Sequence, residues 1–331
     1  MTKHSVRIGV IGAGYWGPKL IRNCAELGVL DSICDIDEAA LEAAHRLYPS
    51  VTVTTMLSDF LSRPMDAVII SAPANLHAEI ALEAIAAGKH VFVEKPLALS
   101  VTEGNQVERA ASKAGLIVFV GHLVLYHPAV KKIRSMIAEG VIGDIWHVRS
   151  RRLSLGKLRT HENVWWSFAP HDVALMIAIF GEEPLGATSA HTHGRGTSNS
   201  DVAYADFEFS RGRSAHIEVS WLDPDKSARL DVFGRYGVLT LEESRREARL
   251  TLKPFTISTD EYDKPIVMPG QEQRINIDSR EPLQIELGAF IDWIASGKPA
   301  ETDARQGVAV LRALAMADEK ASQQVVQEVT T

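Results

Sequence analysis

The sequence predicts an α/β domain with a doubly wound parallel sheet, followed by an α+β domain built on a large, mainly antiparallel open sheet. Three observations carry this expectation. Short, nearly continuous apolar runs alternate with helix-length segments up to about residue 121, the texture of a parallel sheet covered on both faces. A glycine-rich turn stands where the first strand should meet the first helix. Beyond residue 139 several runs alternate apolar and polar, as strands with one covered face do.

The first strand, residues 6–11, runs straight into Gly12-Ala13-Gly14-Tyr15-Trp16-Gly17, a G-x-G-x-x-G spacing. In such a turn Gly12 permits the tight bend, Gly14 lets backbone approach a pyrophosphate, and Gly17 lets helix and strand pack closely. The first N–H groups of the following helix then face the phosphates, aided by the helix dipole. This is the Rossmann arrangement for a dinucleotide. The next apolar segment, 30–34, ends at Asp35, about twenty residues past the motif, where a carboxylate can accept from both adenosine ribose hydroxyls. It would repel the extra phosphate of NADP, and Ile36 and Asp37 follow with no adjacent arginine, so NAD is expected. A solvated turn residue is the alternative role for Asp35.

Residues 67–71 read as a strand, 76–87 as a helix capped by Gly88, and 90–93 as a strand. That strand closes on Glu94-Lys95-Pro96, at the carboxyl end of the sheet where ligands of open α/β folds bind. A helix over 101–114 and a strand over 116–120 complete the first domain, which should end at His122. The second domain, 123–331, should begin with a helix at 128–139. Strands are expected at 145–154, 202–209, 214–221, 229–233, 238–241 and 249–252. A helix from Pro170 to Phe180, ended by Gly181, interrupts the sheet, and helices at 283–296 and 302–323 close the chain. The stretch 253–281 is rich in Pro, Asp and Gly and reads as an irregular excursion.

A chain of 331 residues can bury two sizeable cores. Its net charge of −7 offers no overall basicity for nucleic acid. No apolar run is long enough to span a bilayer and no signal-peptide core opens the chain, so a cytoplasmic location without membrane partners is expected. The two cysteines, Cys24 and Cys34, are expected to be reduced and structural. His191 and His193 alternate on a strand-like segment, but they lack a nearby third ligand, so no metal site is expected.

Four segments together resemble the Gfo/Idh/MocA family of NAD(P)-dependent sugar oxidoreductases, over essentially the whole chain. They are Gly12 to Gly17, Ser71-Ala72-Pro73-Ala74-Asn75-Leu76-His77, Glu94-Lys95-Pro96, and Ala169-Pro170-His171-Asp172. The stretch Gly14 to Lys19 and the segment from Arg152 to Asp172 resemble a branch that acts on nucleotide-linked amino sugars. The resemblance implies oxidation of the 3-hydroxyl of a UDP-linked N-acetylamino sugar, UDP-N-acetylglucosamine favoured, to a 3-keto sugar. An aminotransferase would follow it on a route to a lipid A diamino sugar. A free sugar or polyol dehydrogenase of the inositol kind, a 3-ketoreductase of a nucleotide sugar, and an NAD-binding regulator are the alternatives. The family also implies a homo-oligomer, a dimer of dimers, formed through the second domain's sheet. Trp221 and its apolar neighbours fit that surface or the core equally well.

Removing a hydroxyl proton while carbon gives up hydride calls for a positioned base, and a lysine serves when burial or neighbouring cations bring its pKa down. The resemblance gives Lys95 this role and places an active-site histidine at His171, in the first turn of its helix, as partner. Many relatives carry an aspartate four residues before that histidine; here Ser167 stands there, so no charge supports it, and Asp172 should point elsewhere. The cofactor set comprises Gly12, Gly14, Tyr15, Trp16, Gly17, Asp35, Ser71, Pro73, Asn75, His77, Glu94 and Lys95, with His122 and Trp166 as further candidates. For substrate, besides Lys95 and His171, the candidates are Tyr126, Asn163 and the arginines Arg149, Arg151 and Arg159, whose guanidinium forks suit a diphosphate. Arg152 and Lys157 belong to the same basic cluster, Arg152 on the opposite face of its strand from Arg149 and Arg151.

Overall fold

The computed structural model describes residues 6–155, 158, 162–192, 199–243 and 248–329, with side chains through Glu319. The chain forms two compact units, each discontinuous in sequence: Met1–Leu123 with Glu281–Leu311, and Val124–Arg280 with Arg312–Thr331.

The first unit carries β1 (Ile8–Ile11), α1 (Gly17–Glu26), β2 (Leu30–Cys34), α2 (Glu38–Leu47), β3 (Thr52–Thr54), α3 (Leu57–Leu61), β4 (Ala67–Ile70), α4 (His77–Ala86), β5 (His90–Glu94), α5 (Val101–Ala114) and β6 (Val118–Gly121). Its strands pair in parallel in the order β3-β2-β1-β4-β5-β6, which is the Rossmann order. β1 and β4 are buried at every position, which is why they read as unbroken apolar runs. Cys24 and Cys34 are free and buried, and burial pushes their thiols up to about 12 and about 11.

The second unit carries α6 (Pro128–Ala138), β7 (Ile145–Leu153), α7 (Val164–Phe180), β8 (Gly186–Thr192), β9 (Val202–Glu208), β10 (Ser214–Ser220), β11 (Ser227–Gly234), β12 (Gly237–Glu243), β13 (Ala248–Thr259), β14 (Pro265–Pro269) and β15 (Gln273–Ile275). The sheet runs β14-β13-β12-β11-β7-β10-β9-β8, with β15 on β13; its pairs are antiparallel except β7 with β10. Ala203, Ala205 and Phe207 of β9 are buried while Tyr204 and Asp206 are exposed, the predicted alternation. Trp221 is 0% exposed and meets Phe168 of α7 edge-on at 6.4 Å, so it belongs to the core rather than to an outer face.

Three predicted features are corrected. The expected second domain runs from 123 to 331, but α8 (Pro282–Ser296) and the start of α9 (Ala304–Val329) belong to the first unit. Phe290 of α8 explains this: its ring packs against Phe92 of β5 at 5.7 Å and Phe119 of β6 at 5.5 Å. The expected irregular stretch 253–281 instead extends β13 and adds β14 and β15, because exposed edge strands tolerate the prolines that had argued against a sheet. Finally, α7 begins at Val164, and Pro170 lies inside it. The Asn163 side chain caps it by accepting from the Trp166 N–H at 3.0 Å, which starts the helix before the proline.

Candidate active site

The glycine turn is built as the spacing requires. Gly12 has φ +96°, and its N–H donates to the Cys34 carbonyl at 2.8 Å, tying the turn to β2. A Cβ on Gly17 would lie 2.0 Å from the Gly12 carbonyl oxygen, so only hydrogen fits there. At Gly14 a Cβ would meet no protein atom within 4 Å, so the backbone stands open on that side, as approach to a pyrophosphate demands. Trp16, at the N-cap of α1, makes no side-chain cap to the first N–H groups of the helix, which leaves donors for phosphate oxygens. Tyr15 is 75% exposed beside them.

Asp35 has work within the protein as well. One carboxylate oxygen accepts from the Ala13 N–H at 2.5 Å and the other from the Asp37 N–H at 2.8 Å. Each oxygen keeps a second lone pair, enough for ribose hydroxyls. The turn-residue role is thus observed, and it leaves the carboxylate able to accept from ribose hydroxyls as well. These residues fit a bound NAD, which supplies the acceptor for a hydride when present.

At the carboxyl ends of β4 and β5, His77 joins two loops. Its Nδ1 lies 2.7 Å from the Pro96 carbonyl and its Nε2 2.9 Å from the Ala72 carbonyl, with the residue 2% exposed. It therefore braces the loop of Ser71, Pro73 and Asn75 against the Glu94-Lys95-Pro96 step, whose Lys95–Pro96 bond is cis. Pro73 and Asn75 are exposed, whereas His77 is interior, so it supports the cofactor loop from beneath.

Glu94 ties this step to the glycine turn. It accepts from the Trp16 indole N–H at 2.6 Å and from the Lys95 backbone N–H at 3.3 Å. Burial pushes its carboxyl up to about 7, against the pull of Lys95 and those two donors. Gly121 stands opposite Glu94 in the β5–β6 register, and a Cβ there would sit 3.2 Å from the carboxylate. His122 follows, 1% exposed; burial first, then the charge of Lys95, hold its imidazole down at about 3, so it is neutral. Its Nδ1 has no hydrogen-bond partner among the described residues.

In the second unit, His171 lies in the second turn of α7, not the first, because the helix starts earlier than Pro170 implied. Ser167 is one turn before it and 1% exposed. Asp172 points at the sheet: it accepts from the Ser150 hydroxyl at 2.6 Å and from Arg152 at 2.9 and 3.1 Å. Burial opposes the charge on Arg152, and Asp172 outweighs it to hold the guanidinium pKa above its ordinary value.

The basic cluster is divided by the pleat of β7. Ser150 and Arg152 face α7, so Arg149 and Arg151 project from the opposite face. Arg149 donates there to Asp231, which is 1% exposed and also held by Arg229 and the Thr240 hydroxyl. These two arginines are thus on the other side of the sheet from the helix of His171. Arg159, Lys157 and His193 lie outside the described residues.

Asn163 is occupied as the α7 cap, and the Trp166 indole donates to Asp318 of α9 at 3.1 Å, so both have structural partners. Tyr126 is 4% exposed, with the Lys131 ammonium 5.3 Å from its ring centre. Among the described residues no group of three or more His, Cys, Asp or Glu is arranged to hold a metal, and no helix is long and apolar enough to cross a membrane.

Two buried acids escaped the sequence reading. Asp231 lies in β11 between Leu230 and Val232, all three buried. Glu286 interrupts the apolar face Leu283, Leu287 and Phe290 of α8, and that break in the stripe was the available signal.

Residues 6–122 match the model of the Gfo/Idh/MocA oxidoreductase family, NAD-binding Rossmann fold, and residues 130–240 match the Gfo/Idh/MocA C-terminal domain. The chain belongs to the Gfo/Idh/MocA family. It is accordingly an oxidoreductase with an NAD-binding Rossmann domain. It is similar to the UDP-N-acetylglucosamine 3-dehydrogenase of Acidithiobacillus ferrooxidans, 26% identical over 94% of this chain and 95% of that one. A solved structure of that enzyme superposes with a TM-score of 0.83 at 23% identity, covering 95% and 96% of the two chains. It is also similar to the 2,7-anhydro-N-acetylneuraminate hydratase of Escherichia coli K12, 29% identical over 64% of this chain and 61% of that one.

Proposed function

We propose that the protein uses NAD to oxidise the 3-hydroxyl of a UDP-linked N-acetylamino sugar, UDP-N-acetylglucosamine first among candidates, to a 3-keto sugar for later transamination. The observation that carries this reading is the placement of Lys95 at the carboxyl end of β5, next to Glu94, which is hydrogen-bonded to the glycine turn. A base at that strand end stands where open α/β sheets bind ligands. The match to the 3-dehydrogenase along nearly the full length of both chains supports the sugar class. In this reading Lys95 takes the hydroxyl proton. His171 is the second proton-handling group, working without the charge an aspartate at 167 would lend it.

One observation favours a free sugar or polyol instead. Arg149 is held by Asp231 and Arg152 by Asp172, so two of the five cations suited to a diphosphate are already paired inside the protein. The reading includes a cytoplasmic homo-oligomer, a dimer of dimers.

The test is mass spectrometry of the products when the protein meets NAD and UDP-N-acetylglucosamine with an aminotransferase that draws off the ketone. A 3-amino product that vanishes with Lys95→Ala is expected. Product from myo-inositol but not from the nucleotide sugar would overturn the substrate in favour of the polyol.

A further inference from the structure

His77 opens α4 and is 2% exposed. Its two ring nitrogens face two main-chain oxygens. Nδ1 is 2.7 Å from the Pro96 carbonyl and Nε2 is 2.9 Å from the Ala72 carbonyl, both N–H···O distances. A carbonyl oxygen can only accept, so each of these bonds needs a hydrogen on the ring. A neutral imidazole carries one such hydrogen and can make one of the two bonds, whichever tautomer it adopts. Its other nitrogen would then turn a lone pair toward an oxygen at bonding distance. The imidazolium, a donor at both nitrogens, is the form that satisfies the pair.

We propose that His77 is a positioning residue held as a buried imidazolium, whose charge clamps the cofactor loop to the step that carries Lys95. The clamp joins two strand ends. Ala72 follows β4 in the loop of Ser71, Pro73 and Asn75, the candidates for NAD, and Pro96 directly follows Lys95 after β5. That the clamp positions a base rests on the assignment of Lys95. The elements around His77 act on its charge as follows. The first turn of α4 is the positive end of the helix dipole and opposes a cation, as burial does. Glu79 and Glu83 of α4 are exposed. β4, the loop 71–76 and the stretch 96–100 carry no ionisable side chain. β5 brings Glu94 and Lys95 at its near end, and His90, which accepts from the Ile117 N–H, at its far end. α5 brings Glu103, bonded to the Ser100 hydroxyl, Glu108 beside Arg305, and the exposed Arg109 and Lys113. Two charge-assisted bonds hold the proton against burial and the dipole. When the proton leaves, one of them must go with it.

Long-range 1H–15N spectra of the imidazoles count the ring protons in the full-length protein without any substrate. His77 is assigned by the signal lost in His77→Gln, or in His77→Asn should the first not fold. Both of its nitrogens should be protonated at pH 7, with a midpoint about one unit or more above the ordinary value of about 6.5. A single protonated nitrogen at pH 7 would overturn the proposal. NAD affinity is the readout that a merely structural ring would not move. Calorimetry across pH should find NAD bound about tenfold more weakly above the His77 midpoint than below it. By linkage, saturating NAD should raise that midpoint by about one unit. In His77→Gln the amide donates at every pH, so the step in affinity should disappear. An NAD affinity that stays flat through the midpoint in the parent protein would sink the clamp. With the substrate found above, kcat/KM should fall as pH rises through the same midpoint. A midpoint linked to NAD in a protein that oxidises no sugar would leave the clamp standing and remove the base assignment instead.

Discussion

The indole N–H of Trp16 donates to the Glu94 carboxylate at 2.6 Å, joining the end of the glycine turn to the residue before Lys95. The bond favours the ionised carboxylate, while burial favours the acid, and the balance holds Glu94 at about 7. Trp16→Phe keeps an aromatic ring there and removes the donor. Glu94 should then hold its proton to higher pH, its midpoint rising by about one unit, read by carboxyl 13C NMR.

Lys95→Ala should lower kcat by about 10²–10⁴, the range that positioned proton transfer contributes. NAD affinity, measured by calorimetry, should change little by comparison, because the glycine turn and Asp35 are untouched. Equal losses in both would make Lys95 a cofactor ligand rather than a base.

Asp35→Ala removes the carboxylate proposed to accept from the ribose and also releases the Ala13 and Asp37 N–H groups that shape the turn. NAD should bind about tenfold to a hundredfold more weakly, at roughly 1.4 kcal/mol per tenfold. NADP should lose less, since the repelling charge goes too. Titrating both cofactors against the variant reads the ratio directly.

Asp172→Asn leaves Arg152 without its charged partner beneath α7. Breaking one side of a buried pair costs about 3 kcal/mol or more. Urea unfolding should show it as a lower midpoint with the slope unchanged.

Both Glu94 and Glu286 have raised folded-state pKa values, Glu94 at about 7 and Glu286 well above the ordinary range. Their contribution to stability is whole below the unfolded carboxyl pKa of about 4.3 and is lost as pH climbs through the folded values. Glu286→Gln should therefore gain stability relative to the parent as pH rises from 5 to 8. Thermal melts at the two pH values check the sign.

The parallel half was legible because β1, β4 and the middle of β5 are buried on both faces and must be written in continuous apolar residues. The site was legible where backbone geometry demands a residue type, as at Gly12 and Gly17. It was hidden where the deciding partner is distant in sequence. Arg149 reads as a diphosphate ligand until Asp231, 82 residues away, is placed against it. The early start of α7 was obscured by Pro170, a residue usual at a helix start but tolerated here inside a long apolar helix. Nothing in an amphipathic stripe names the sheet it will cover, so the return of α8 to the first unit could not be read.

That return sets an order on the birth of the molecule. A ribosome that has made all six parallel strands has not yet made Phe290, and some 170 residues must still be added before it exists. Until then the rings of Phe92 and Phe119 have no lid, and the nascent sheet is exposed to mispairing and to chaperones. A fragment stopped at Leu123 would be frozen at that stage. The nucleotide-binding half, although its six parallel strands precede the second sheet, is finished only when the segment Glu281–Leu311 has been made.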